Sequence, residues 1–235
     1  MFAEIVRMSS HFQIQTFDEV TSTNDLAFKL AAENSAQHHT IILANSQTKG
    51  RGRQDRSWIS PQGNLYFSLI LQSGNFARVT DFSFLSACVI GDVLRLYGIN
   101  TKYKWPNDIM LGEKKLAGIL LQFQKINHVP TLVIGIGLNL VSAPDYAASL
   151  ADHKITREDF LQKFTEIFSA YEGDYASFGF ASIRERWKKN AYKIGEEVRL
   201  SSGASGVFSD VDVEGNLLLL EDGVRMRKVM IDEIL

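Results

Sequence analysis

The run NLYFSLILQ at 64–72 constrains the fold more than any other stretch. Its centre is apolar on both faces, whereas a strand with one wet face alternates apolar and polar residues. Such a strand belongs in the middle of a sheet, with a cover on each side. Residues 80–97 supply one candidate cover, placing Phe82, Leu85, Val89, Val93 and Leu96 at helical spacing before a stop at Gly98. Thr156 with Asp159 reads as a capping box opening a helix over 156–171, whose stripe is Phe160, Phe164, Ile167, Phe168 and Tyr171. A further helix is expected from near Thr23, where hydroxyl and amide side chains precede Leu26, Ala27, Leu30 and Ala31.

Other segments read as partner strands. HFQIQTF at 11–17 alternates and is expected to be the first strand, HTIILANS at 39–46 is short and apolar, and KYKWPND at 102–108 ends a strand at Pro106. KKLAGILLQFQ and TLVIGIGLNL form a hairpin through KINHVP. After about residue 190 the texture changes to short strands separated by Gly, Ser, Asn and Asp turns, as in YKIGEEVRL, ASGVFSDVD, GNLLLLED and GVRMRKVMI. The expected architecture is α+β. A mixed β-sheet flanked by helices occupies 1–188, and a small SH3-like β-barrel at 189–235 packs against it, having few residues for a core of its own.

Composition narrows the function classes. With 45% hydrophobic and 22% charged residues the chain is an ordinary soluble one, and a net charge of -2 disfavours a general nucleic-acid-coating role. Cys88 is the single cysteine, on an apolar helix face, so it reads as a small buried hydrophobe in a reducing cytoplasm. The N-terminus carries Glu4 and Arg7 and lacks the apolar run of a signal peptide; no stretch approaches the ~20 apolar residues that span a bilayer. Histidines 11, 38, 39, 128 and 153 show no metal spacing and read as surface or loop residues.

Three clusters carry chemistry. QTKGRGRQDRSW at 47–58 reads as a solvated turn, a nucleic-acid contact or an anion cradle. In the last case Gly50 and Gly52 admit close backbone approach, Arg51, Arg53 and Arg56 offer forks to carboxylate or phosphate, and Trp58 offers a face for a base. In KWPNDIMLGEKKLAGIL at 104–120, Pro106 holds Trp105 extended, and Asp108 and Lys115 sit at strand ends. They suit proton transfer and charge neutralisation, or else form a surface ion pair. GIGLN at 135–139 fails as a dinucleotide fingerprint; Gly135 and Gly137 instead make room for a ligand or another backbone, with Asn139 a candidate for an adenine edge.

Taken in order, Ser22-Thr23-Asn24, the run Gln47 to Trp58, KWPND at 104–108, Lys115-Leu116-Ala117-Gly118 and GIGLN at 135–139 resemble the biotin protein ligases from about residue 15 onward. The resemblance implies a class II synthetase-like catalytic domain that uses ATP and Mg²⁺ to make biotinyl-5′-AMP. It then passes biotin to a lysine of a biotin carboxyl carrier protein domain. It also implies site residues: Ser22, Thr23, Asn24, Gln47 and Gly118 around the biotin head group, and Gly50, Arg51, Gly52 and Arg53 around its carboxylate and the phosphate. Arg56, Trp58, Asn107 and Asn139 fall on the adenylate side. Lys115 contacts the activated carboxyl and α-phosphate, Arg53 aids it, and Asp108 orients or deprotonates the acceptor amine. A lipoate-protein ligase and a non-catalytic biotin sensor are the competing readings.

Two departures generate expectations. Asp55 stands where the family usually has glycine, and it is expected to pair with Arg53 or Arg56 in the empty protein. Some members carry an N-terminal winged-helix DNA-binding domain, for which this sequence leaves no room. A monofunctional ligase without specific DNA binding, and a homodimer, are therefore expected.

Overall fold

The computed structural model describes residues 4–7, 11–73, 76 and 78–235, and sets the apolar run where its pattern requires. Much of the N-terminal stretch read above as lacking a signal sequence lies outside the described residues. The large sheet contains β1 (Glu4–Arg7), β2 (Gln13–Val20), β3 (Thr40–Gln47), β4 (Leu65–Gln72), β5 (Lys102–Lys104), β6 (Asp108–Leu111), β7 (Lys114–Ile126) and β8 (Val129–Leu138). Their spatial order is β1-β2-β3-β4-β8-β7-β6-β5. β2 and β3 pair in parallel and the other neighbours antiparallel.

Strand alternation sorts side chains between two unequal layers. On one face Leu65, Phe67, Leu69 and Leu71 of β4 and Leu132, Ile134 and Ile136 of β8 join the main core. Its cover is α2 (Asp81–Leu96), α3 (Arg157–Phe178) and α4 (Phe180–Lys189), through Leu85, Val89, Phe164, Phe168, Ile183 and Trp187. On the other face a smaller cluster joins Ile42, Ala44, Ile70 and Val133 to Ala27 and Phe28 of α1 (Thr23–Ala32). One ten-residue helix is only about 15 Å long, so it covers part of that face and leaves the rest to a cavity.

The structure adjusts several expectations. β1 precedes the strand expected to be first. The turn of the β7–β8 hairpin is two residues, Asn127 and His128, both at positive φ (49° and 68°), so most of KINHVP is strand. α3 continues past Gly173 to Phe178 and stops at Gly179 (φ 67°). α4 was not expected, because the only large apolar residues of FASIRERWKK are Phe180, Ile183 and Trp187, which are buried. Leu96 is 63% exposed, since the buried stripe of α2 ends at Leu94. Only half of the capping box forms: Thr156 Oγ1 accepts from Asp159 N, while the Asp159 carboxylate takes Lys163 and Tyr97.

The C-terminal strands β9 (Glu197–Arg199), β10 (Ser205–Val211), β11 (Leu217–Glu221) and β12 (Arg225–Val229) form an antiparallel sheet in the order β12-β11-β10-β9. β9 and β12 do not pair; residues 233–235 return beside β9 through Ser201 N donating to Glu233 O (2.9 Å) and Leu235 N to Arg199 O (2.8 Å). Phe208, Val211, Leu217 and Leu219 belong to the same core as Phe84 and Trp187, and Trp105 Nε1 donates to Gly215 O at 3.0 Å. As expected, this sheet packs against the larger unit. Cys88 is buried, which pushes its thiol pKa up. No described helix is long and apolar enough to cross a membrane.

His38, His39 and Glu172 meet beside the start of β3, which no local spacing reveals. His38 Nδ1 accepts from Gln72 N at 3.0 Å, and His39 Nε2 lies 2.9 Å from Glu172. Although His38 is exposed overall, desolvation of its ring, reinforced by His39 and opposed by Glu172, lowers its pKa below the ordinary 6.5. The folded state thus binds fewer protons than the unfolded one just below pH 6.5, so this contribution to stability is complete above 6.5 and is lost as pH falls. Urea midpoints at pH 7.5 and 5.5 should differ less in His38→Gln, which keeps an acceptor for Gln72, than in the wild type. Equal differences would show that His38 is not responsible.

Candidate active site

The cavity, about 540 Å³, lies on the α1 side of the sheet. Its floor is small because Gly118 on β7 and Gly135 and Gly137 on β8 point their missing side chains into it. A Cβ at Gly135 would stand 2.2 Å from Asn24 Oδ1, and one at Gly137 2.5 Å from the Trp58 ring. The two β8 glycines thus admit side chains of this protein rather than another backbone.

At one end stands a buried polar network. Ser22 caps α1 by accepting from Asp25 N (3.5 Å), which turns Thr23 and Asn24 toward the sheet. Thr23 N donates to Gln47 Oε1 (2.9 Å), Gln47 Nε2 to Ser60 Oγ (3.0 Å), and Asn24 Nδ2 to Gln122 Oε1 (2.7 Å). Ser68 Oγ lies 2.8 Å from Thr23 Oγ1 and 2.6 Å from Asn24 Oδ1. Ser22, Thr23, Asn24 and Ser68 are all at most 4% exposed, yet no ion is among them. This end suits a neutral, polar group.

The arginine loop folds as a small hairpin across the cavity. Gly52 N donates to Arg56 O (2.6 Å), Trp58 N to Gly50 O (2.9 Å), and Arg51 bridges to Ser57. Gln54 and Asp55 sit at its tip with φ 54° and 57°, so Asp55 tolerates the left-handed turn its position requires. The expected pairing of Asp55 with Arg53 or Arg56 is not present: both arginines turn to Glu233. Arg56 pairs with Glu233 at 2.5 Å and Arg53 approaches the same carboxylate at 3.7 Å, while Arg51 pairs with Asp25 at 3.0 Å. Asp55 is exposed at the tip, and the C-terminal segment supplies the counter-charge instead. Arg53 also donates to Asn107 Oδ1 (3.1 Å), and Asn107 Nδ2 donates to Ile119 O (2.8 Å), which ties the loop to the sheet.

The third group is Lys115 with Asp108. A bulge between β6 and β7 brings Lys115 Nζ to 2.7 Å from Asp108 Oδ1. That contact is an ion pair without hydrogen-bond geometry, since Asp108 Oδ1 has no hydrogen-bond partner among the described residues. Lys115 Nζ also stands 5.3 Å from the Trp58 ring centroid. The Trp58 indole rests against Gly118 and Gly137, and its buried N–H has no partner among the described residues, so a ligand acceptor could take it. Asn139 is pinned by its Nδ2 donating to Ala148 O (2.9 Å), which leaves its Oδ1 without a partner among the described residues.

The sequence-predicted residues therefore converge: Ser22, Thr23, Asn24, Gln47, Arg51, Arg53, Arg56, Trp58, Asn107, Asp108, Lys115, Gly118 and Asn139 all line this one cavity. Gly50 does not line it, but it underlies the loop, where a Cβ would meet Trp58 O at 2.4 Å. Sequence reasoning missed Ser68, Gln122, Lys104 and Glu233. The one trace of Ser68 in the sequence is a small polar residue at the centre of an otherwise apolar strand. Lys104 lines the cavity, and burial holds its pKa below the usual lysine range, with Asp108 opposing and Lys115 adding to the effect.

With the geometry established, comparison with known proteins decides the family. Residues 16–139 match the Biotin/lipoate A/B protein ligase family. A biotin–acetyl-CoA-carboxylase ligase of Paracoccus denitrificans is 33% identical over 218 residues, covering 84% of this chain and 90% of that protein. The chain belongs to the biotin/lipoate A/B protein ligase family. Among other members, the bifunctional ligase/repressor BirA of Bacillus subtilis is 35% identical over 230 residues, 90% of this chain and 70% of its own. The Aquifex aeolicus biotin protein ligase solved with biotin and ATP superposes with a TM-score of 0.83 at 26% identity, covering 94% of this chain and 97% of that one.

Glu233 is expected to steady the ligase loop rather than the fold. Partly exposed pairs such as Arg56–Glu233 contribute about 0–1 kcal/mol, so Glu233→Gln should barely move the melting temperature. Amide hydrogen exchange over 51–57 should quicken several-fold in that variant, and unchanged exchange would show that Arg56 needs no partner.

Proposed function

We propose that this protein joins biotin to ATP as biotinyl-5′-AMP and transfers the biotinyl group to a lysine of a biotin carboxyl carrier protein domain. The observation that carries this reading is a single cavity with two chemically distinct ends. Thr23, Asn24 and Gln47 form a neutral donor–acceptor set, and Arg53, Arg56 and Lys115 form a cationic one. A ureido ring suits the first, and the second suits the carboxylate and phosphate that must meet beyond it.

In the first step a biotin carboxylate oxygen attacks the α-phosphorus, and the bond to the β-phosphate oxygen breaks to release pyrophosphate. Both reactants are anions, and two unit charges 4 Å apart repel by about 4 kcal/mol at an effective dielectric of 20. Lys115 and Arg53 offset that repulsion where the bond forms. In the second step the acceptor amine attacks the acyl carbon, AMP leaves, and the nitrogen loses a proton. Once the phosphate engages Lys115, Asp108 is released from its ion pair and can orient that amine. Trp58 lends its face to the adenine, and Asn139, held through its Nδ2, offers its Oδ1 to an adenine amino group.

The cavity's carboxylates do not make a Mg²⁺ cage. Asp108 and Glu233 are each engaged by a cation, and the one cluster of three metal-ligating groups among the described residues lies elsewhere. The nucleotide phosphates and water are the ligands that this reading leaves to Mg²⁺. Homodimerisation rests on the family resemblance and a cytoplasmic setting on Cys88, and sedimentation at micromolar concentration tests the first.

ATP–pyrophosphate exchange with biotin and lipoate run side by side tests the proposal. Exchange is expected with biotin and not with lipoate, and Lys115→Ala should lower it by about 10²-fold or more, the scale for losing one preorganised charge-stabilising group. Exchange with lipoate alone would move the protein to the sister activity.

A further inference from the structure

The polar network under the cavity is one proton short. Gln47 is oriented by Thr23 N, which needs the amide oxygen, and on its far side by Ser60, whose own proton goes to Trp58 O at 2.9 Å. Asn24 directs Nδ2 to Gln122 Oε1, so its Oδ1 requires a donor, and Ser68 Oγ, 2.6 Å away, provides it. A hydroxyl has a single proton. With that of Ser68 spent on Asn24, the 2.8 Å contact between Ser68 and Thr23 takes the Thr23 proton. None is left for Gln47 Oε1, which stands 3.2 Å from Thr23 Oγ1. Two acceptor oxygens then face each other at the cavity wall with no hydrogen between them.

We infer that Ser68 is a positioning residue that makes Thr23 and Gln47 an acceptor pair for a ligand N–H. It is fully buried on β4, opposite Gly135, and does not line the cavity itself. Its effect is to draw the Thr23 proton away from the ligand. A ureido ring carries two N–H groups and completes the network, whereas a dithiolane carries none and leaves the buried Thr23 oxygen opposed to the half-buried Gln47 oxygen. Discrimination between these ligand classes thus originates in the strand behind the pocket as well as in its wall. The inference rests on the reading that the ligand is biotin.

The opposite direction of the chain is the alternative outcome. With both amides turned over, Gln122 would donate to Asn24, Asn24 to Ser68, Ser68 to Thr23 and Thr23 to Gln47, and no ligand proton would be needed. Dissociation constants from equilibrium dialysis separate the two. The probes are biotin and the two analogues in which one ring N–H is replaced by CH₂. In the wild type one analogue should bind roughly tenfold or more weakly than biotin. In Ser68→Ala the Thr23 proton returns to Gln47, and the gap should shrink to within about twofold, chiefly because biotin itself binds more weakly. If Ser68→Ala does not fold, Ser68→Cys, whose sulfur is too weak an acceptor to hold the Thr23 proton, carries the same comparison. General damage would weaken all three ligands in parallel, so a gap unchanged from the wild type overturns the inference. A wild type that binds biotin with no gap overturns it too, and a wild type that binds no biotin removes the underlying reading as well.

Discussion

The period-two alternation of β4, β7 and β8 is the constraint on which the structure depends. Leu65, Phe67, Leu69 and Leu71 face one way into the main core, while Ser68 and Ile70 face the other. The same split puts Ile134 and Ile136 in the core and Gly135 and Gly137 under the cavity. Three helices cover the first face, and one short helix covers part of the second. The cavity is what remains where α1 stops short, and the residues beneath it are small or polar because they are spared from core packing.

Charge is managed differently from shape. The protein holds three arginines beside a cavity without being basic overall, because each is balanced in the empty state by a group distant in sequence. Asp25 at the start of α1 takes Arg51, while Glu233 takes Arg56 and approaches Arg53. The small C-terminal sheet is thereby coupled to the loop, both through Glu233 and through Trp105, whose indole N–H reaches Gly215 O. Since Glu233, Ile234 and Leu235 line the cavity while residues 233–235 run beside β9, movement of that sheet would disturb the cavity wall.

Much of this was legible in the sequence. The central strand, the helix caps at Ser22 and Thr156 and the texture change near residue 190 are local signals, and local chemistry determined them. The site was legible where its residues form short runs, as in Gly50 to Trp58 and Trp105 to Asp108. What was hidden depends on long-range pairing. Gln122 meets Asn24 across 98 residues, and Glu233 meets Arg56 across 177, so neither leaves a local trace. α4 was hidden for another reason: its three large apolar residues are too sparse to show a stripe until the main core accepts them.

The position of Ser68 also bears on how the chain finds its fold. A slip of one residue in the pairing of β4 would exchange its faces, sending Ser68 into the main core and Phe67 or Leu69 into the cavity. The error would bury a hydroxyl without its partners and fill the space meant for a ligand. Correct strand registration and a usable site are therefore a single event in this protein, and a misregistered molecule would be both unstable and unable to bind.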